Sequence, residues 1–136
     1  TLSTSSAASD VYKRQSSSRD IYHHFHTRLG NFKQERFIIV ILDNKHRFLS
    51  ETTVTVGLLN RSLVHPREVF AEAIEQRAAA IICIHNHPSG DSSPSEEDKR
   101  ITRRLQESGE LLGIPLLDHV IISIEDFTSF DDEGWL

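Results

Sequence analysis

Cysteine is almost missing from this chain: Cys83 stands alone, so no intrachain disulfide can form, and a reducing, cytoplasmic setting is expected. Long hydrophobic runs are missing too. The longest, residues 37–42 and 78–84, fall far short of the ~20 residues that a membrane-spanning helix needs, so no membrane partner is expected. The N-terminus is rich in Ser and Thr and lacks the apolar stretch of a signal peptide. There is no excess of positive charge: the net charge of -5 argues against a large nucleic-acid footprint and leaves room only for a local basic patch. No segment repeats. What is there, 38% apolar and 26% charged residues over 136 positions, suits one globular domain with one core.

The first fifteen residues stand apart. Residues 5–15 read SSAASDVYKRQ, which is the translation of a transposase-based sequencing adapter ending in the transposon's terminal recognition sequence. A disordered Ser-rich leader or an expression tag is the plainer alternative. Residues 1–15 are therefore expected to be a non-native leader, with one domain over 16–136 and any upstream region cut away.

Residues 16–29 read as a helix, with Ser17 or Ser18 as N-cap, Gly30 past its end, and Ile21, Phe25 and Leu29 on its inner face. His23, His24 and His26 scatter around that helix and are expected to be solvated. The run 35–42 (ERFIIVIL) is a buried strand, 43–46 a hairpin turn, and 47–56 a returning strand. Pro66 opens a helix to about Arg77, with Val69, Phe70, Ala73 and Ile74 inward. Residues 78–85 (AAAIICIH) form a central strand. After a loop at 88–94, Ser95 caps a helix that runs to Leu112 and stops at Gly113. Residues 114–123 make a last long strand, followed by a short acidic tail from Glu125. Strands alternating with helices predict an α/β fold, three layers α-β-α around a mixed sheet.

Two histidines at i and i+2 on a strand point to one face, so His85 and His87 converge while Asn86 points away. Pro88 stops the strand and places both rings at a sheet edge. The loop 88–94, with Gly90, three Ser and two Pro, folds the chain back and brings Asp98 towards them in the first turn of the next helix. Two imidazoles and a carboxylate supply three ligands for Zn2+ and leave a fourth position open, as a catalytic zinc requires. Such a site makes water acidic near pH ~7. A general base must still collect the proton.

His-x-His, seven residues, Ser, two residues, Asp resembles the signature of the JAB/MPN metalloenzymes, also called JAMM proteins, with no departure in spacing. VHPREVF (64–70), AAAIICIHNHPSGD (78–91) and LLDHVII (116–122) resemble the RadC branch, a group of bacterial proteins labelled as DNA repair. The resemblance covers 16–136. It implies a cytidine-deaminase-like fold and a metallopeptidase or isopeptidase activity on a peptide or protein substrate. It also implies a glutamate before the first core strand as general base, here Glu35, and Ser95 as a holder of the oxyanion. Glu68 competes with Glu35, but the helix dipole explains a carboxylate in that first turn.

Blander readings stand beside these. Ser95-x-x-Asp98 is also a capping-box pattern, and both roles can coexist. Adjacent His-Asn-His is not the spread arrangement of HNH nucleases. One cysteine cannot supply the Pro-Cys-x-x-Cys of a cytidine deaminase. Cys83 shares the histidines' face, with burial as its default. Asp118 and His119 are either partners behind a ligand histidine or a hydrogen-bonded core pair; His65 and His46 are structural. Two functions follow: a zinc-dependent hydrolase, or a non-enzymatic adaptor associated with DNA repair that uses the domain as a scaffold. Nucleic acid would enter only through a missing upstream region, and the oligomeric state is left open.

Overall fold

The computed structural model describes residues 17–29, 33–57 and 64–136; the leader over 1–15 and Gly30 lie outside these described residues. The elements run α1 (Ser18–Leu29), β1 (Arg36–Leu42), β2 (Phe48–Val56), α2 (Pro66–Glu75), β3 (Ala80–Asn86), α3 (Glu96–Leu112), β4 (Leu116–Ile122) and β5 (Phe127–Ser129). The sheet has the order β2-β1-β3-β4-β5. All neighbours are antiparallel except β3 and β4, so the sheet is mixed as expected.

Strand alternation builds the layers. On β1, Phe37, Ile39 and Ile41 face a core with Val69, Phe70 and Ala73 of α2 and Ile101 and Leu105 of α3. Ile38, Val40 and Leu42 face a second core with Ile21, Phe25 and Leu29 of α1. Each of these large apolar side chains contributes roughly 1.5–3 kcal/mol on leaving water, which is why β1 and β3 are apolar on both faces.

Local chemistry sets the ends. Ser17 is the cap of α1, its hydroxyl accepting from Asp20 N at 3.1 Å. In the hairpin, Asp43 Oδ1 accepts from the amides of Lys45 and Arg47, both at 2.9 Å, and His46 takes a positive φ of 59°. His65 caps α2, Nδ1 accepting from Arg67 N at 3.0 Å, with Pro66 in the first turn.

Two expectations change. Ile74 does not face inward; α2 buries only Val69, Phe70 and Ala73, and Ile74 lies 54% exposed on its flank. Of the α1 histidines only His23 is exposed. His24 packs edge-on against Phe25, and His26 bonds the Ile124 carbonyl. The acidic tail from Glu125 forms β5 against β4 and buries Phe130.

Candidate metal centre

Phe37 pairs with His85 across β1 and β3, while β4 runs parallel on the other side of β3. The C-terminal end of β3 thus opens beside the start of β1. His85 is fully buried there, His87 follows just past the strand end, and His87 N is held by Ile122 O at 2.8 Å. The following loop is pinned as well as punctuated. Gly90 takes a φ of 89°, Ser93 N donates to Asp91 Oδ1 at 2.9 Å, and buried Ser92 meets Thr128 of β5 at 3.0 Å.

That loop delivers the N-terminus of α3. Ser95 Oγ accepts from Asp98 N at 3.0 Å and Asp98 Oδ2 accepts from Ser95 N at 2.8 Å, a complete capping box. The same carboxylate faces both imidazoles. His85 Nε2 lies 3.3 Å from Asp98 Oδ1, His87 Nε2 lies 3.1 Å from Oδ2, and the two Nε2 atoms are 2.9 Å apart. Capping and facing the histidines therefore share Oδ2. The three predicted ligand residues form one group able to hold a metal, and it is the one such group among the described residues.

The donor set fits a small cation. Bonds of ~2.0–2.1 Å to a tetrahedral zinc separate neighbouring donors by ~3.3 Å, close to the observed spacings. His87 Nδ1 lies 2.8 Å from the Asp91 carbonyl, which can only accept, so Nδ1 carries a proton and Nε2 is the atom that can take an ion once it has none. Asp98 is an anion. Burial alone would raise its pKa, but His85 and His87 beside it and the Ser95 amide hold it well below the usual carboxylate range. Burial would lower His87, yet hydrogen bonds to Asp98 and Asp91 and the charges of Asp98 and Glu35 raise it. The pocket attracts positive charge.

Glu35 comes to the same edge. Continued two residues past the Phe37–His85 pair, the antiparallel register would bring Glu35 opposite His87, and the charge of Glu35 is felt there. Asn86 fixes the backbone on either side of it: Oδ1 accepts from Arg36 N at 2.7 Å and Nδ2 donates to Gln34 O at 3.1 Å. Glu68, the competitor, is an exposed residue of α2 with Arg67 Nε 3.9 Å away. Ser95 is exposed beside the buried Asp98. Cys83 lies in the core, its thiol pushed far up by burial, and joins no ligand group.

The family description RadC-like JAB domain matches residues 15–135, nearly the whole chain. The chain belongs to the RadC-like JAB domain family. A UPF0758 protein of Syntrophotalea carbinolica is 50% identical over 123 residues, covering 90% of this chain and 54% of the relative. A UPF0758 protein of Bacillus licheniformis is 54% identical over 103 residues, or 76% of this chain and 46% of the relative. One from Methanosarcina mazei is 46% identical over 124 residues, or 91% and 54%. This RadC-like JAB domain thus spans about half the length of the curated relatives it matches.

Asp118 and His119 take different parts in this RadC-like JAB domain, since neighbours on β4 face opposite sides of the sheet. His119 turns towards α3, with Nε2 2.7 Å from His85 Nδ1 and Nδ1 2.6 Å from Thr102 Oγ1. Burial, then the nearby His85, keeps its pKa well below the ordinary value, so it is neutral. Asp118 turns away and binds Ser129 and Asp131. Two residues escaped the sequence reading: the backbone clamp of Asn86, and Thr102. Thr102 carried one signal, its place four residues after Asp98 on the same face of α3.

Proposed function

We propose that this domain is a zinc-dependent hydrolase that cleaves amide bonds in a peptide or protein. The observation that carries the reading is the convergence of His85, His87 and Asp98 at a sheet edge that also holds a second carboxylate, Glu35. His85, His87 and Asp98 would hold the ion. When bound, zinc supplies a Lewis acid that makes water deprotonable near neutral pH and polarises a carbonyl. Glu35 accepts the proton of the attacking water and passes it to the leaving nitrogen, so a C–O bond forms as the C–N bond breaks. The Ser95 hydroxyl already accepts from the Asp98 amide, which leaves its own proton to donate to the oxyanion. The capping box therefore leaves a hydroxyl proton free for the oxyanion.

The test pairs metal content with turnover. Wild type, His87→Ala and Glu35→Gln are purified without chelator, and zinc, melting temperature and cleavage of peptide and isopeptide substrates are measured. Wild type is expected to hold one zinc per chain and to melt higher with zinc than without it. His87→Ala loses the metal. Glu35→Gln keeps it and loses on the order of 10²–10⁴-fold in turnover. Wild type that takes up no zinc overturns the reading, and so does a Glu35→Gln variant as active as wild type.

A further inference from the structure

A run of hydrogen bonds leaves one residue of the candidate metal centre and returns to the backbone of another. His85 Nδ1 lies 2.7 Å from His119 Nε2, His119 Nδ1 lies 2.6 Å from Thr102 Oγ1, and Thr102 Oγ1 donates to the Asp98 carbonyl at 2.7 Å. All four residues are at most 2% exposed, so no water competes for these contacts. His119 is fixed in its plane, stacked on Phe130 at 4.9 Å and 14° and met edge-on by Phe37 at 5.6 Å.

Proton counting gives the run a direction. A backbone carbonyl can only accept, so the single hydroxyl proton of Thr102 goes to Asp98. Towards His119 the hydroxyl can then only accept, which places the ring proton of His119 on Nδ1. A neutral imidazole has one N–H, so His119 Nε2 is a lone pair and takes the proton of His85 Nδ1. His85 Nε2 is left bare, facing His87 and Asp98. With the opposite order, either two N–H groups would meet at 2.7 Å or His85 would turn a proton towards the ion.

We propose that Thr102 and His119 are positioning residues that set the metal-binding tautomer of His85. The inference rests on the reading of His85, His87 and Asp98 as ligands. It adds that a hydroxyl one helical turn beyond Asp98, touching no ligand side chain of that group, controls affinity for the ion. Because the run begins on the Asp98 backbone and ends beside the Asp98 carboxylate, any shift of α3 that moves one ligand also disturbs the tautomer of another.

The whole chain, labelled with 15N in its histidines, is examined zinc-free by NMR for the tautomers of His85 and His119. Zinc affinity is measured by chelator competition for wild type, Thr102→Val and Thr102→Ser. Wild type is expected to show both rings protonated at Nδ1. Thr102→Val, which keeps the shape and removes the acceptor, should lose the single His119 tautomer and bind zinc ~10–100-fold more weakly, whereas Thr102→Ser stays within ~3-fold of wild type. His119 protonated at Nε2 in wild type, or Thr102→Val binding zinc as tightly as wild type, overturns the proposal. The wild-type spectrum needs no variant to fold and no metal. Both rings at Nδ1–H in a chain that takes no zinc would therefore sink the ligand reading while leaving the proton order standing.

Discussion

Asn86 sits between His85 and His87 and faces neither, and the reason lies across the sheet. Its side-chain amide holds Arg36 N and Gln34 O, the backbone groups flanking Glu35, and it is buried. A carboxylate acting as base must be set within a fraction of an ångström, and a small misplacement lowers rate far more than binding. Asn86→Ala is therefore expected to keep its zinc and its KM and to lose ~10–100-fold in kcat. Combined with Glu35→Ala it should add little, because both changes remove one function. Steady-state kinetics with zinc analysis checks this; an Asn86→Ala loss that multiplies fully with that of Glu35→Ala would contradict it. The His85, His87 and Asp98 group was legible because i, i+2 on a strand and a first-turn Asp are local rules. The partners of Asn86 and Thr102 were not, and His119 was legible only as one of two alternatives, since each depends on elements that meet only when the sheet is assembled.

At the scale of the element, α3 concentrates the information. Both of its ends were written in the chain, Ser95 as cap and Gly113 with its φ of 75° as stop. Gly109 inside it conflicts with local preference, since glycine mid-helix costs roughly 1 kcal/mol against alanine. Packing resolves the conflict. A Cβ at Gly109 would stand 2.5 Å from the Ile114 carbonyl oxygen and 3.3 Å from Phe70 Cζ, so the chain leaving α3 crosses where only a hydrogen fits. Ile114 N also bonds Gly109 O at 2.9 Å, fixing that crossing. Gly109→Ala should therefore destabilise the fold by about 1–3 kcal/mol despite its better helix propensity, as read from urea unfolding. A gain in stability would show that the crossing can yield. Such an approach leaves no periodic signature, and neither does a three-residue strand such as β5, which the sequence reading did not assign.

Across the whole molecule the sheet separates two environments, and adjacent residues of β4 report on both. The layers were legible because β1 and β3 are apolar on both faces; which side each polar residue of β4 serves was not, because either face accepts one if its partners are there. His119 serves the α3 side, whereas Asp118 ties the C-terminal segment to β4. Its Oδ1 accepts from the His119 and Asp131 amides at 2.7 and 3.0 Å, and its Oδ2 accepts from Ser129 Oγ at 2.6 Å. Burial nonetheless outweighs these bonds, and with the charge of Asp131 it pushes the Asp118 pKa from 3.8 up to about 6. Below 3.8 the folded and unfolded chains both hold the proton, and the group leaves stability unchanged. Between 3.8 and about 6 the unfolded chain has released its proton and the folded chain has not, so stability falls as pH rises. Above about 6 both are ionised and the loss is constant. Asp118→Asn keeps the Oδ1 acceptor and removes the ionisation. Its stability relative to wild type should therefore improve between pH 4 and pH 8 by up to about 3 kcal/mol. Urea unfolding of both proteins at the two pH values measures this, and the difference cancels every other titrating group. A gap between the two proteins that is the same at both pH values would mean that Asp118 is ionised in the fold throughout that range.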